Sequence, residues 1–362
     1  MAPRTHARRI GSEEIAIVAI AQTPSYRRYE DTEQMLLLTL TNEILAEISI
    51  DRHDIDFTIA GSCDYLSGLP FAFVSNVDGF GAWPPVYESH LEMDGAWALF
   101  EAWVRLQMGD IDTALVAGSG KSSPGRPREI FALQTNPYYH APLGLDPVSL
   151  AGLQANALVE SGKATEADFA EVVSRSRRDG LGNPRAQVAK DVTVDQLLKE
   201  PYFASPLRKH DLPPISDGAS MVLIARGDKA RELTDRPVWI RGIDHRMESS
   251  HPGLRDLTES PSTRLAAQKL GIDGDGFDIA ELCVRYSPEE ILLSNALGLS
   301  EATRVNPSGG PLCGHPVMAT GLARVCEAAR LIRDGQAGTA LAHAASGPAL
   351  QQNLLCTLEG DA

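Results

Sequence analysis

A stretch of this chain occurs twice, and that constrains the fold more than anything else in it. Gly95–Ala102 and Gly321–Ala328 agree at the leading glycine, at Glu101 and Glu327, and at Ala102 and Ala328. The agreement continues at one constant offset. Gly109 answers to Gly335, and Thr113-Ala114-Leu115 to Thr339-Ala340-Leu341. Each copy reads as a helix of about 13 residues, a glycine stop and a short apolar strand ending in small residues. An offset shared by helix, stop and strand points to two copies of one α/β unit. In the first half, apolar spacing predicts strands over Glu14–Ala21 and Phe57–Ala60 and an amphipathic helix over Glu33–Ile48. In the second it predicts strands over Val238–Ile243 and Phe277–Glu281 and a helix over Ser262–Leu270. Such alternation favours sheets covered by helices. Residues 122–214 between the halves are rich in Pro and Gly and read as an insertion, with helical pieces near Val148–Glu160 and Glu166–Asp179.

The 362 residues carry 43% hydrophobic and 22% charged side chains, ordinary globular composition with ample material for a large core. A net charge of −15 with no basic stripe argues against a nucleic-acid protein. The apolar run Ile15–Ala21 is far short of the roughly 20 residues that span a bilayer. Arg4, Arg8 and Arg9 are followed by no apolar segment, so the first residues read as a mobile arm rather than a signal peptide. The five cysteines, Cys63, Cys283, Cys313, Cys326 and Cys356, are widely spaced and form no C-x-x-C pair. Neither a metal site nor a disulfide framework is signalled, and a reducing, cytoplasmic setting is expected.

The block Asn306–Gly321, which contains Gly314-His315-Pro316, resembles the glycine-rich signature near the C-terminus of the thiolase superfamily. Ser205-Pro206-Leu207-Arg208, Ser216-Asp217-Gly218-Ala219 and Asn183-Pro184 match shorter family segments in the right order, so the resemblance spans nearly the whole chain. It implies an α/β thiolase fold: two duplicated halves with mixed five-stranded sheets and helices, plus an inserted loop domain. The expected boundaries are 1–121 for the N-terminal half, 122–214 for the loop domain, 215–235 for the end of that half and 236–362 for the C-terminal half.

Carried over position by position, the resemblance exposes an absence. Alignment on Gly95 puts Glu92 where the family has its nucleophilic cysteine. Glu92 is a candidate base, and either Glu92 or Asp94 is a candidate cap for the helix that follows. Where the family has an Asn or His that anchors an oxyanion hole, this chain has Cys283, and Tyr286 replaces a phenylalanine. Tyr286 is either a packed ring or an acid/base phenol. His315 is the best-kept position and is expected to polarise a thioester or exchange a proton. His343 lies in the loop of the missing second cysteine and is nominated in its stead. Cys313 and Cys356 read as packing residues. Arg175, Arg178, Arg208 and Lys209 of the insertion are expected to meet the phosphates of coenzyme A, with Arg177 beside them. The loop Asn136–His140 is a candidate wall of the acyl pocket.

Without either sulfur, covalent acyl transfer is disfavoured. Holding a thioester enolate needs only fixed donors and a proton shuttle. Within the superfamily the chain resembles lipid-transfer-protein-type, sterol-carrier-like members. That implies a carbon–carbon lyase performing retro-aldol cleavage of a β-hydroxyacyl-CoA, in the degradation of steroid or other bulky lipid side chains. Coenzyme A enters as part of the substrate, with no permanently bound cofactor. The resemblance also implies a homodimer and a small OB-fold, zinc-ribbon partner. An acyltransferase using another nucleophile and a non-catalytic acyl-CoA-binding subunit remain the alternatives.

Overall fold

A computed structural model describes residues 13–81, 86–274 and 276–361. Arg4, Arg8 and Arg9 lie outside them. Twelve strands run β1 Ile15–Gln22, β2 Phe57–Gly61, β3 Glu88–Leu91, β4 Thr113–Lys121, β5 Tyr202–Ala204, β6 Leu207–Arg208, β7 Asp217–Arg226, β8 Val238–Met247, β9 Ile279–Glu281, β10 Arg304–Val305, β11 Thr339–Ser346 and β12 Gln352–Gly360. The helices of ten residues or more are α1 Glu33–Ile48, α2 Gly95–Met108, α3 Pro147–Glu160, α4 Glu166–Asp179, α5 Pro261–Leu270, α6 Ser287–Leu297 and α7 Thr320–Arg333.

The duplication governs the topology. In the first half the strand order is β1-β7-β4-β2-β3, with β1–β7 and β7–β4 antiparallel and β4–β2 and β2–β3 parallel. In the second it is β8-β12-β11-β9-β10, with the same two antiparallel and two parallel pairings in the same places. The two five-stranded units are not separate sheets. β1 pairs with β8 through Ala16–Trp239 and Ile17–Val238, so they join into one sheet of ten strands. This contact removes two edges that would otherwise expose unpaired backbone groups.

Strand burial shows how the layers stack. Ile15 and Ile17 of β1 belong to a core with α2, α7 and strands of both halves, whereas Ala16 and Val18 face a second core with α1. Successive side chains of a strand point to opposite faces, so α2 and α7 lie sandwiched between the half-sheets and α1 covers an outer face. A third core packs α5 and α6 over the second half-sheet and joins them to α3 and α4 of the insertion. Because the central strands are covered on both sides, β4 and β7 are buried along nearly their whole length.

Local signals start and stop the helices. Thr32 accepts a hydrogen bond from the Met35 amide to cap α1, and Asp94 accepts from the Ala96 amide to cap α2. Gly109 ends α2 with φ of 75°, and its duplicate Gly335 follows α7 with φ of 68°. Residues 122–214 carry α3 and α4, and β5 and β6 form a separate two-stranded sheet there. No described helix is long and apolar enough to cross a membrane.

Candidate active site

A cavity of about 630 Å³ opens where α2 and α7 begin. Its wall includes Glu92, Asp94, Cys283, Tyr286, His315 and Thr320. Four of the sequence candidates, Glu92, Cys283, Tyr286 and His315, therefore share one site. Asn136 and His140 also line it.

His315 is held so that only one nitrogen is available. Its Nδ1 lies 2.8 Å from Thr320 Oγ1, and that hydroxyl donates its single proton to the carbonyl of Pro316 at 2.7 Å. Thr320 can then only accept from the ring. Nδ1 must carry the proton, which leaves the lone pair on Nε2, and Nε2 has no hydrogen-bond partner among the described residues. Burial, with the nearby Arg285 and Arg324, pushes the imidazole down to about 3. At neutral pH this ring is a base at Nε2, not a donor. The main chain is fixed as well: the His315 amide donates to Ser216 Oγ at 3.0 Å.

Close packing sets where the His315 segment lies. A methyl group on Gly120 would overlap the Val317 carbonyl oxygen, and one on Gly118 would overlap that of Met318. Only glycine at the end of β4 lets the chain carrying the imidazole approach so closely.

Tyr286 immediately precedes α6 and is nearly buried. Burial pushes its phenol well above the usual tyrosine range, so it stays protonated at neutral pH. Cys283 is buried too, and desolvation pushes its thiol up to about 12 even though Arg285 opposes the shift. Such a thiol is a poor nucleophile. Arg285 brings positive charge to the cavity wall. It is paired with Glu289 at 2.9 Å and donates to the Gly347 carbonyl at 2.8 Å. Beyond Gly347, Ala349 and Leu350 both hold positive φ (51° and 56°), and Arg255 donates to the Pro348 and Ala349 carbonyls. Two arginines thus clamp a backbone turn that L-residues rarely adopt, and that turn borders the cavity.

Glu92 does not cap α2. Its carboxylate accepts from the Asp64 amide at 2.8 and 3.1 Å, while Asp64 accepts from the amides of Phe71 and Ala72. The cap of α2 is Asp94, which is also bonded to α7. Gly321 donates to Oδ2 at 2.8 Å and Leu322 to Oδ1 at 3.0 Å.

The placement of His343 does not match the proton shuttle expected of it. Asn353 Nδ2 donates to Ser262 Oγ and to the Leu350 carbonyl, which turns Asn353 Oδ1 toward His343 Nε2 at 3.0 Å. His343 Nε2 therefore donates, and Nδ1 accepts from the Cys283 amide at 3.3 Å. Both nitrogens are occupied, the ring is buried, and it lies behind the cavity wall. The residues expected to meet coenzyme A phosphates have these surroundings. Arg175 is paired with Glu290, and Arg208 is buried against Glu166 and the Glu200 carbonyl. Arg178 and Lys209 are exposed, and none of the four lines the cavity. Sequence reasoning missed Thr320, Arg285, Ser216 and the second attachment of Asp94. The motif that singled out His315 also contains Thr320, five residues on, and this spacing was the available signal.

The whole described architecture superposes on human mitochondrial 3-ketoacyl-CoA thiolase in complex with CoA, with a TM-score of 0.78, 16% identity and coverage of 97% of this chain and 98% of that one. The chain has the thiolase fold. A second structure of that fold, titled Ltp2-ChsH2(DUF35) aldolase, matches with a TM-score of 0.79 at 18% identity, covering 95% of this chain and 97% of that one. No protein-family model matches the sequence. Among curated proteins, the acetyl-CoA acetyltransferase of Methanothermobacter thermautotrophicus is 26% identical over 353 residues, covering 90% of this chain and 92% of that protein. Sterol carrier protein 2 of Gallus gallus is 25% identical over 272 residues, 64% of this chain and 50% of that protein. In this chain, Glu92 and Asp94 line the cavity beside the start of α2.

Proposed function

We propose that the chain is a carbon–carbon lyase that cleaves a β-hydroxyacyl-CoA by retro-aldol chemistry. One observation carries the reading: a base-form imidazole lines a cavity whose only cysteine, Cys283, is held protonated by burial. His315 Nε2 takes the proton of the substrate's β-hydroxyl. The oxygen's electrons form the new carbonyl, the Cα–Cβ bond breaks, and its pair moves into the thioester as an enolate. The neutral Tyr286 phenol donates a hydrogen bond to the developing enolate oxygen. The proton held by His315 then returns to Cα, giving a shortened acyl-CoA and an aldehyde or ketone. The proton count closes with no oxidant or acyl-enzyme.

Burial and the two arginines make an imidazolium at His315 costly, which drives this return of the proton. His343 serves by fixing the Cys283 backbone, and Glu92 by fixing the Asp64 turn. The thiolase neighbour bound to CoA and the sterol-carrier relative support a CoA thioester carrying a bulky lipid or steroid-like acyl group. The aldolase neighbour, an Ltp2-ChsH2(DUF35) assembly, supports both the lyase class and a small partner protein. A second copy of this chain is proposed to pair along the edge strand β3. The deciding assay is release of the carbonyl product from synthetic β-hydroxyacyl-CoA, with and without the partner. Turnover that survives His315→Ala overturns the assignment.

A second reading, acyl transfer through Cys283, has the shared cavity with His315 and the acetyltransferase relative in its favour. Intact-mass analysis after incubation with acetyl-CoA separates the two. An acyl group on the peptide holding Cys283 supports transfer, and an unmodified chain that cleaves substrate supports the lyase.

A further inference from the structure

The positions that begin the two duplicated helices have taken different work. Asp94 and Thr320 answer to each other at the offset that relates Gly95 to Gly321. Thr320 sets the His315 tautomer. Asp94 is a buried carboxylate that accepts from three main-chain amides: Ala96 at the start of its own helix α2, and Gly321 and Leu322 at the start of α7. In addition, the Gly95 amide donates to the Met318 carbonyl at 2.8 Å. Both helix N-termini, each carrying partial positive charge from its free amides, thus converge on one side chain. The first two residues after Thr320 hang from it. The connection runs from Asp94 through Gly321 and Leu322 to Thr320 and on to His315 Nδ1.

We infer that Asp94 is a positioning residue for the proposed cleavage: by tying the start of α7 to α2 it holds Thr320 where it accepts from His315 Nδ1, and so keeps the base on Nε2. The reaction assigned to His315 is taken from the proposed function, but the tautomer claim stands apart from it. An amide at position 94 has one oxygen and one nitrogen, and the nitrogen would meet a donating N–H. Burial pushes the Asp94 carboxyl up to about 6. The groups that face it are Arg324 from α7, the Cys283 thiol ahead of α6 and, in the same cavity wall, Glu92, Arg285 and His315. The ionised form accepts the three amides best, because a proton on the carboxyl weakens one oxygen as an acceptor, so positioning is strongest well above pH 6 and weakens as pH falls through it. His315 is pushed down to about 3 and does not titrate there.

The test uses the 362-residue chain labelled with ¹⁵N-histidine, the His315 signals being assigned by their loss in His315→Gln. In the wild type at pH 7.5 the Nδ1 shift should be that of a protonated nitrogen and the Nε2 shift that of a lone pair. Both should drift toward averaged values as pH falls through about 6. Asp94→Asn and Asp94→Ser should show the averaged pattern at every pH. With β-hydroxyacyl-CoA, Asp94→Asn should lower kcat about 10- to 100-fold with KM within about twofold, and should abolish the rise of kcat through pH 6. Wild-type shifts and an unchanged pH profile in Asp94→Asn would sink the inference. If either variant fails to fold, the wild-type pH series decides on its own, and constant His315 shifts from pH 5 to 7.5 overturn the claim. If the wild type cleaves nothing, the lyase reading fails while the nitrogen shifts still judge the positioning role.

Discussion

Thr320 has one hydroxyl proton and gives it to a carbonyl, and from that follows most of what His315 can do. Thr320→Val removes the acceptor and lets the ring proton migrate. It should lower kcat roughly 10-fold or more, whereas Thr320→Ser should stay near wild type, as steady-state cleavage assays would show. Tyr286→Phe removes the proposed enolate donor and should cost about 10²-fold in kcat with little change in KM. Glu92, Cys283, Tyr286 and His315 could be named because each falls in a segment that resembles a thiolase-superfamily motif, and all four line one cavity. The role of His343 was not legible. It depends on Asn353, which a β11–β12 register sets. The ion pairs of Arg175 and Arg208 were hidden for the same reason: their partners, Glu290 and Glu166, come from other segments of the chain.

At the level of elements, the contact between β4 and the His315 segment is the most sensitive point. Gly120→Ala would drive a methyl group into the Val317 backbone, so the segment must shift or the fold must loosen. The expected result is a loss of more than about 1 kcal/mol in chemical denaturation, together with activity reduced at least as far as by Thr320→Val. Elements with strong apolar periodicity or clear caps were readable from sequence: α1 and α4 lie over the expected residues, and α2 runs from the expected glycine to its glycine stop. β3 and β10 were not, since short edge strands such as Glu88–Leu91 and Arg304–Val305 carry too few apolar residues to show a period. The strand expected from Phe277 begins at Ile279.

For the molecule as a whole, duplication was visible in the sequence and the joining of the half-sheets was not. The β1–β8 contact involves two residue pairs, and no local pattern announces it. Stability should follow the buried histidine behind the site. Burial pushes His343 down from 6.5 to about 4. Its contribution is therefore fully present above the unfolded pKa and is lost as pH falls through the window toward 4, at about 1.4 kcal/mol per unit and roughly 3–4 kcal/mol in all. Calorimetry from pH 7.5 to 4.5 should show a fall in Tm that is shallower in His343→Gln. Equilibrium sedimentation should give a dimer, and proline or lysine placed in β3 should weaken it.

The doubly anchored Asp94 also bears on redesign. A cysteine placed at position 92 would lack electrostatic support, because a resident anion already neutralises both helix ends that would turn a thiol into a thiolate. Glu92→Cys alone should therefore react sluggishly with iodoacetamide at neutral pH. Converting this scaffold to sulfur chemistry requires vacating position 94 at the same time.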